Sequence, residues 1–405
     1  MVNSLLMKTL LYLFPVLLFF SCANNDAAVS CVFSPVLETF EVTNISSSSA
    51  ILRGRISFNA ENCNIPPGAQ QGFVYSTSSL PSIEDNLIAV YGTDININLD
   101  NLEPNTTYYV RTFIANSLGE YYGNELLFVT SNAINYGSST YETSFQGLDR
   151  DYIIYIPENY TPEHPSPLLF VYHGFGGNNN LTMNYTGFNE IANQNNFIVV
   201  YPQGSNFIGV PHWNVGGWTL GSTTDDIAFT EYLINTISDQ YSINNDRVYA
   251  TGMSNGGFMS FLLACQMSDT FAAVASVTGS MTTETYEQCT PLREVPVLQI
   301  HGTIDPIVPY AGIQAWNTPI DEVLTYWATN NECNLTPQII SLEDIDPDNN
   351  IRVDEITYDG GTNASVVKHY KVYGGGHDWF DNAEISASEL VWEFFSNYDL
   401  NGLIN

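Results

Sequence analysis

The sequence predicts two domains of different class: an all-β sandwich, then an α/β domain with a mostly parallel sheet flanked by helices. Up to about residue 130, short alternating apolar and polar runs are separated by Gly, Pro, Asn and Ser clusters. From about residue 152, apolar strand-like runs alternate with amphipathic helical stretches. A length of 405 residues with 44% hydrophobic residues is enough for two buried cores.

The first 21 residues are typical of a secretory signal peptide, because Lys8 precedes an apolar run that extends to Phe20. That run is short for a bilayer span, which argues against a retained membrane helix. Ser21 and Cys22 resemble a bacterial lipoprotein box, with residues 22–33 as a tether behind a lipidated Cys22. Cleavage nearby by an ordinary signal peptidase is the alternative, because Phe20 is bulky for such a box. We expect an extracytoplasmic protein, either secreted or anchored to the outer membrane through Cys22.

Residues 34–131 are predicted to form the β-sandwich. Runs at 50–58, 71–75 and 108–115 alternate with the period of a half-buried strand. The segment from Leu102 to Tyr108 resembles the tyrosine corner of fibronectin type III domains, in which the hydroxyl of Tyr108 would bond to nearby backbone. No reactive side chains cluster here, so we expect a spacer or docking module, followed by a polar linker at 132–143.

The charge of the chain excludes some functions. The formal net charge is −33, with only 10 Lys and Arg residues. Nucleic acids and other polyanions need clustered cations for binding, so neither is an expected partner. The acidity is interpreted as a solvated surface that favours solubility.

Residues 144–401 are predicted to form the α/β domain. Strands are expected at 150–157, 167–172, 196–202, 247–251, 296–300 and 366–372. Helices are expected at 227–241, from about 256, and at 386–397. In such sheets the functional groups lie at the carboxyl ends of the strands, which directs attention to the segments that follow each of them.

The segment Gly252-Met253-Ser254-Asn255-Gly256 lies between a predicted strand and a predicted helix. A nucleophilic serine needs a sharp turn of this kind, and small residues two positions before and after it let strand and helix approach each other. Serine is a weak nucleophile at its free pKa, so a base and an orienting acid must act with it. The expected chain order is serine, acid, histidine.

Asp305 and His377 are the predicted acid and base. Asp305 follows the strand at 296–300, and His377 follows a run of three glycines after the strand at 366–372. Asp378 adjoins the histidine in sequence and cannot easily reach its ring. Asp225 and Asp226 precede a predicted helix, where capping is the favoured role.

The segment His173-Gly174-Phe175-Gly176-Gly177 follows the strand at 167–172 and predicts an oxyanion loop. The backbone N–H groups of Phe175 and Asn255 are the expected donors. His173 itself is expected to hold the loop rather than to take part in catalysis.

Residues 140–400 resemble the secreted esterases that include polyhydroxybutyrate depolymerases, feruloyl esterases and acetylxylan esterases. The matching segments are Tyr172-His173-Gly174, Tyr201-Pro202-Gln203-Gly204, Trp213-Asn214, Asp225 to Phe229, Gly252 to Gly257, His301 to Asp305 and Gly374 to His377. The resemblance implies the α/β-hydrolase fold, a Ser254, Asp305, His377 triad, and ester hydrolysis without a metal or an organic cofactor. No cysteine lies beside the nucleophile, which excludes the disulfide that ties triad segments together in some relatives.

The expected substrate is a polymeric ester, either a polyester or an esterified plant polysaccharide. Trp213, Trp218 and Trp379 fall near the predicted triad segments and, with Phe175, are candidates for an apolar or aromatic acyl pocket, with core packing as the equal alternative. Two other functions stay open: a catalytically degenerate polysaccharide-binding lipoprotein, and a serine peptidase.

Two further sequence features are the cysteines and an acidic segment near residue 350. We expect disulfides Cys31–Cys63 and Cys265–Cys289 with Cys333 free, although sequence cannot fix connectivity. The acidic spacing from Asp344 to Glu355 matches that of a calcium loop. It lacks the glycine of the sixth position and flanking helices, so a solvated turn is favoured.

Overall fold

A computed structural model describes residues 32–61, 69–382 and 384–404. The chain divides into two compact units between Ala133 and Ile134. Within the described ranges, no helix has both the length and the apolar character needed to cross a membrane. The predicted signal peptide and Cys22 lie outside the described residues.

The first unit contains only β-strands. They are β1 Val32–Thr43, β2 Ser49–Glu61, β3 Gln70–Ser76, β4 Asn86–Ala89, β5 Asp94–Asp100, β6 Thr107–Asn116, β7 Gly119–Tyr122 and β8 Leu126–Val129. One antiparallel sheet has the order β1-β2-β5, and a second has the order β4-β3-β6-β7, with β8 also paired to β6. Alternate residues of β2, β3 and β6 enclose an apolar core that includes Leu52, Phe73 and Val110. The fold is the predicted all-β class.

The corner before β6 has the predicted local structure. The Glu103 backbone N–H donates to the hydroxyl oxygen of Tyr108 at 3.0 Å. Tyr108 is buried and its ring stacks on Phe128 at a centroid distance of 5.6 Å. This hydrogen bond is the tyrosine-corner contact expected from the sequence.

The second unit has strands on one large sheet and helices on both faces. Its strands are β9 Gly137–Phe145, β10 Leu148–Ile156, β11 Ser166–Tyr172, β12 Ile198–Pro202, β13 Ser205–Phe207, β14 Val210–His212, β15 Ile243–Met253, β16 Ala273–Val277, β17 Val297–Gly302, β18 Gln338–Ser341, β19 Arg352–Tyr358, β20 Val367–Tyr373, β21 Tyr398–Asp399 and β22 Gly402–Leu403. Its helices are α1 Asn179–Thr186, α2 Phe188–Asn195, α3 Asp226–Ser238, α4 Asn255–Gln266, α5 Thr283–Gln288, α6 Ile320–Asn330 and α7 Ala387–Ser396, with 3-10 turns at Gly217–Thr219 and Thr362–Ala364.

The large sheet has ten strands in the order β18-β19-β20-β17-β16-β15-β11-β12-β10-β9. The neighbours from β20 to β12 pair in parallel, and the strands at both edges pair antiparallel. Two apolar clusters cover the opposite faces, and each is built from alternate residues of the same parallel strands. The carboxyl ends of β11, β15, β17 and β20 therefore meet at one edge, as the sequence predicts.

Among the strands of the second unit that were not predicted, β16 and β9 each have a physical reason. Strand β16 lies in the centre of the sheet, but its sequence Ala-Val-Ala-Ser-Val is poor in the bulky residues typical of strands. Small side chains are needed there because α4 packs closely, with an added Cβ on Gly257 falling 2.5 Å from Ser276 Oγ. Strand β9 takes up residues 137–145, which corrects the linker predicted at 132–143. It is a partly exposed edge strand, and its Ser- and Thr-rich composition is also typical of a polar linker.

Candidate active site

Ser254 lies between β15 and α4 with an unusual backbone conformation. Its φ is 55° and its ψ is −120°, a combination that is costly for a residue with a side chain. Its N–H donates to Val277 O at 2.9 Å. An added Cβ on Gly256 would lie 2.1 Å from Tyr172 O, and one on Gly252 would lie 2.6 Å from the same oxygen. Both glycines are therefore required for α4 and β11 to approach, and this contact holds the serine in its strained turn.

Asp305 and His377 are 72 residues apart in sequence and form one hydrogen bond. The Nδ1–H of His377 donates to Asp305 Oδ2 at 2.8 Å, and the aspartate side chain is fully buried while 16% of the histidine side chain is exposed. The other oxygen, Oδ1, accepts from the backbone N–H groups of Ile307 and Val308, both at 2.8 Å. Each oxygen of the carboxylate therefore has a separate set of donors.

The protonation of Asp305 follows from these contacts. Burial raises the pKa of Asp305, but hydrogen bonds from His377, Val308 and Ile307 outweigh it, so the pKa lies below its ordinary value. The group is consequently an anion near neutral pH. An anion in this position fixes the proton of His377 on Nδ1 and leaves its Nε2 free as a base.

Close backbone packing brings the two loops together. Strands β17 and β20 are parallel neighbours, so the loops that leave them start side by side. An added Cβ on Gly302 would lie 2.2 Å from Gly375 O, so this approach needs a glycine at the end of β17. Asp378 Oδ1 accepts from the Trp379 N–H at 2.8 Å, so this carboxyl bonds to the backbone of its own loop.

The two predicted oxyanion donors belong to backbone segments next to Ser254. Asn255 is the first residue of α4, where an N–H has no partner within the helix. An ideal Cβ on Gly174, which precedes Phe175, would lie 3.4 Å from Ser254 Cβ. The loop is held by the Gly176 N–H, which donates to Pro211 O at 2.8 Å. The geometry brings both segments to the serine.

His173 fixes the base of this loop, in the structural role that the sequence indicated. Its Nε2 accepts from the Gly204 N–H at 2.9 Å, so the proton of the neutral ring must be on Nδ1, which lies 2.7 Å from Gly174 O. Burial lowers the pKa of His173 to about 4, which keeps this neutral tautomer at physiological pH.

Three buried histidines predict acid sensitivity of the fold. Burial lowers the pKa of His173 and His301 to about 4 and that of His369 to about 3. The unfolded chain binds protons on these groups below about pH 6.5, whereas the folded chain does not until about pH 4. The contribution of these histidines to the free energy of unfolding is therefore fully present above about pH 6.5 and is lost as the pH falls towards 4. At pH 5 the loss is about 2 kcal/mol per histidine.

Urea unfolding at pH 7 and pH 5 measures this loss. We expect His369→Gln to reduce the difference in unfolding free energy between the two pH values, because one buried group no longer titrates. The matched control is His164→Gln, since His164 is exposed and should leave the difference unchanged. An equal pH dependence in all three proteins would contradict the prediction.

The three predicted substrate-binding tryptophans differ in their surroundings. Trp213 is 0% exposed, its Nε1–H donates to His173 O at 2.9 Å, and the Asn255 side chain bonds to its backbone N–H and C=O. Trp379 is 4% exposed and donates from Nε1 to Ser388 Oγ at 2.9 Å. Neither offers surface to a ligand, so the prediction of substrate contact is corrected to a packing role for both.

Trp218 alone keeps the predicted kind of environment. It is partly buried on the turn Gly217–Thr219, and its ring lies 5.7 Å from that of Phe175, which is 44% exposed. Trp316, which was not singled out in the sequence, adds a ring at 6.2 Å from Trp218. Its position on a loop far along the chain gave no sequence signal, because only folding brings its ring to that of Trp218.

A buried ion pair supports the site and was missed in the sequence. Arg150 Nη2 lies 2.9 Å from Asp226 Oδ1, with both side chains almost fully buried. Asp226 Oδ2 accepts from the Asn214 N–H at 2.8 Å, next to Trp213. Asp225 is the N-cap of α3, accepting from the Ala228 N–H at 2.9 Å. Asp225 is therefore the N-cap, as predicted, and Asp226 is an acidic residue in the first turn of the same helix. The pairing of Asp226 with the distant Arg150 could not be identified from sequence.

We expect Asp226→Asn to lower the unfolding free energy of the second unit by about 3 kcal/mol or more, because it leaves the charge of Arg150 buried and unpaired. Asp225→Asn is the matched control, since asparagine caps helices as well as aspartate does. Urea unfolding followed by tryptophan fluorescence checks both. Equal stability of the two variants would show that the pair contributes nothing beyond a surface carboxylate.

One disulfide is described. Cys265 and Cys289 are bonded, with Cα atoms 5.0 Å apart, and join the end of α4 to the residue after α5. This is one of the two expected pairs, while Cys31 and Cys63 lie outside the described residues. Cys333 is a free, buried thiol, and burial raises its pKa.

The acidic segment that resembled a calcium loop has other contacts. Asn349 donates from its side chain to both oxygens of Glu384, at 2.9 and 3.1 Å. Glu355, at the twelfth position of that pattern, lies on β19 and accepts from Lys368 Nζ at 3.0 Å and from the hydroxyl of Tyr370 at 2.8 Å. In the part of the chain that the structure describes, no three His, Cys, Asp or Glu side chains are grouped to hold a metal ion.

A parallel sheet with a strained serine at a strand-to-helix turn defines an α/β-hydrolase fold. The profile of the putative esterase family matches residues 144–345. A probable feruloyl esterase C of Aspergillus oryzae is 30% identical over 255 residues, which are 61% of this chain and 84% of that protein. The chain belongs to this esterase family.

Two further comparisons concern proteins whose names refer to xylan. A bifunctional acetylxylan esterase/xylanase of Neocallimastix patriciarum is 26% identical over 260 residues, 64% of this chain. The match spans only 35% of that longer protein. The solved acetyl xylan esterase from Aspergillus awamori has a TM-score of 0.47 at 17% identity, covering 64% of this chain and 99% of that one.

Proposed function

We propose that this protein is an extracytoplasmic serine hydrolase of carboxylic esters. Ser254 is the nucleophile, His377 the general base and Asp305 the acid that orients the base. The observation that carries this proposal is the 2.8 Å hydrogen bond between His377 Nδ1 and the buried Asp305, at the same sheet edge as the strained turn of Ser254. Family membership supports the reaction class.

The mechanism has two acyl-transfer steps. Ser254 Oγ attacks the ester carbonyl carbon while His377 Nε2 takes the hydroxyl proton. The N–H groups of Phe175 and Asn255 stabilise the negative oxygen of the tetrahedral intermediate. That intermediate collapses, His377 returns the proton to the departing alcohol, and Ser254 is left acylated. Water then attacks the acyl carbon while His377 Nε2 takes one of its protons. The bond from that carbon to Ser254 Oγ breaks, His377 returns the proton to Oγ, and the carboxylic acid is released.

The proposed substrate class is feruloyl or related hydroxycinnamoyl esters on plant polysaccharides. The ring of Phe175, on the proposed oxyanion loop, contacts that of Trp218, and the ring of Trp218 contacts that of Trp316. This row of aromatic rings suits a flat aromatic acyl group better than an acetyl group. The name of the Aspergillus oryzae relative refers to the same acyl group. Acetylated xylan and polyhydroxybutyrate-type polyesters are the competing substrates.

The placement of the enzyme outside the cytoplasm is part of the proposal. The sequence of residues 1–21 and the Cys265–Cys289 disulfide both suit an oxidising compartment. A lipid on Cys22 would hold the protein at a membrane, with the β-sandwich unit as a spacer or docking module.

Labelling with a fluorophosphonate probe, followed by peptide mass mapping, tests the reaction class. An adduct on Ser254 supports the proposal, and the absence of any adduct would favour a degenerate binding protein. Turnover of methyl ferulate, acetylated xylan and short-chain polyhydroxybutyrate is then compared. The highest kcat/KM is expected for methyl ferulate. Preference for acetylated xylan or the polyester would overturn the acyl assignment, and cleavage of amides but not esters would indicate a peptidase.

A further inference from the structure

A second histidine, besides His377, lies against Asp305. His301 is on β17, four residues before Asp305, and its side chain is fully buried. Its Nε2 lies 3.4 Å from Asp305 Oδ2, the same oxygen that accepts from His377 Nδ1. The mechanism proposed above gives this residue no role.

The hydrogen-bond partners of His301 define its tautomer. Its Nε2 lies 2.8 Å from Val308 O, which can only accept, so Nε2 carries the proton. Its Nδ1 lies 2.9 Å from the Nε2 amide of Gln299, which can only donate, so Nδ1 is the acceptor. The amide of Gln299 is itself anchored, because it also donates to Gly279 O at 2.9 Å. His301 is thus a neutral ring held in one orientation.

This ring closes the loop that carries Asp305. The Val308 N–H donates to Asp305 Oδ1 at 2.8 Å, and the Val308 carbonyl accepts from His301. The residue that holds one oxygen of the carboxylate is therefore fixed by His301, whose Nε2 also lies 3.4 Å from the other oxygen. Removing the ring leaves Val308 O buried without its donor and frees one end of the loop.

We propose that His301 is a positioning residue that fixes the Asp305 carboxylate and, through it, the base His377. The inference rests on the proposed function, since it assigns Asp305 and His377 to a catalytic triad. His301 does not touch the reacting atoms. Its effect is exerted through the direction of the Asp305 to His377 hydrogen bond, which determines how well the imidazolium is stabilised in the transition state.

Several ionisable groups face the His301 ring. Asp305 lies on its own loop, and His377 lies on the loop after β20. The Tyr310 ring is 5.8 Å away in an edge-on arrangement, and His369 on β20 contacts Tyr310 in turn. Burial lowers the pKa of His301 to about 4, so the ring stays neutral across the working pH range and does not compete with His377 for the aspartate charge.

The test compares three variants by kinetics and by unfolding. His301→Leu keeps apolar bulk but removes the donor, and we expect kcat for p-nitrophenyl acetate to fall about 100-fold. We also expect the acid limb of the kcat/KM pH profile to move to lower pH by about half a unit, because the base loses a well-placed anion. His301→Gln keeps a donor at the position of Nε2 and should stay within about threefold of the parent enzyme with its limb unmoved.

His369→Leu is the matched control, because His369 is a buried neutral histidine on the neighbouring strand that bonds to Gln299 O at 3.0 Å. It should lower stability but keep the parent pH profile. A parent profile and parent kcat in His301→Leu, or an equal defect in folded His301→Gln, would overturn the inference.

The proposed function is tested separately by labelling Ser254. If Ser254 is labelled while His301→Leu behaves like the parent, only the positioning role fails. If no label attaches, the triad assignment fails whatever the His301 variants do.

Discussion

Replacing Ser254 by alanine should lower kcat for p-nitrophenyl acetate by on the order of 10⁴-fold or more, since no other group in the proposed mechanism can form the acyl-enzyme. The residue stands in a strained conformation, with φ 55°. Alanine at this position adopts the same backbone with no new contact, so the fold should be retained. Initial rates and circular dichroism of the purified variant check both expectations.

Ser260→Ala is the matched control for that experiment. Ser260 lies on α4, six residues after Ser254, and its hydroxyl donates to Gly256 O at 3.0 Å within the same helix. Alanine is favourable in a helix, so we expect activity within about threefold of the parent. Retention of more than about a hundredth of the parent rate in Ser254→Ala would exclude this serine as the nucleophile.

The second large effect is expected for Asp305→Asn, with a loss of about 10³- to 10⁴-fold in kcat. Two backbone N–H groups, from Ile307 and Val308, already occupy Oδ1. The amide oxygen of asparagine must take that place, so its NH₂ group faces His377 Nδ1. A donor there forces the histidine proton onto Nε2, and the ring then cannot accept the proton of Ser254.

Asp378→Asn is the control for charge removal near the histidine. Its carboxyl accepts from the Trp379 N–H, and an asparagine oxygen can accept in the same way. We expect a change of less than about threefold. If Asp378→Asn were the more damaging substitution, the acid of the triad would have to be reassigned to that position.

Much of the fold could be predicted from periodicity. The parallel strands β11, β12 and β17 are largely apolar runs bounded by turn residues. These three strands, as well as β15 and β20, were expected close to their observed places. Strand β16 was not predicted, because its small residues are required by the close packing of α4, which is a tertiary contact. Strand β9 was not predicted, because it is an edge strand with polar, solvated residues.

The residues of the candidate site likewise include some that the sequence predicts and some that it cannot assign. Ser254, Asp305 and His377 could be proposed from sequence because each follows a strand whose end faces the same edge of a parallel sheet. The tryptophans could not be sorted, since Trp213 and Trp379 prove to be buried while Trp218 lies beside an exposed Phe175. A loop tryptophan carries the same sequence signal whether it packs inwards or lines a cleft.

The sequence by itself determined the two domain classes, the order of the chemical groups and the glycines that permit the turn at Ser254. These features depend on local conformation and on strand direction, which are determined by residues close together in the sequence. Only the tertiary structure decided that Asp226 pairs with Arg150 and that His301 holds the loop of Asp305. One contact joins a strand to a helix and the other a strand to a loop, and the partners are selected by tertiary geometry rather than by a local sequence pattern.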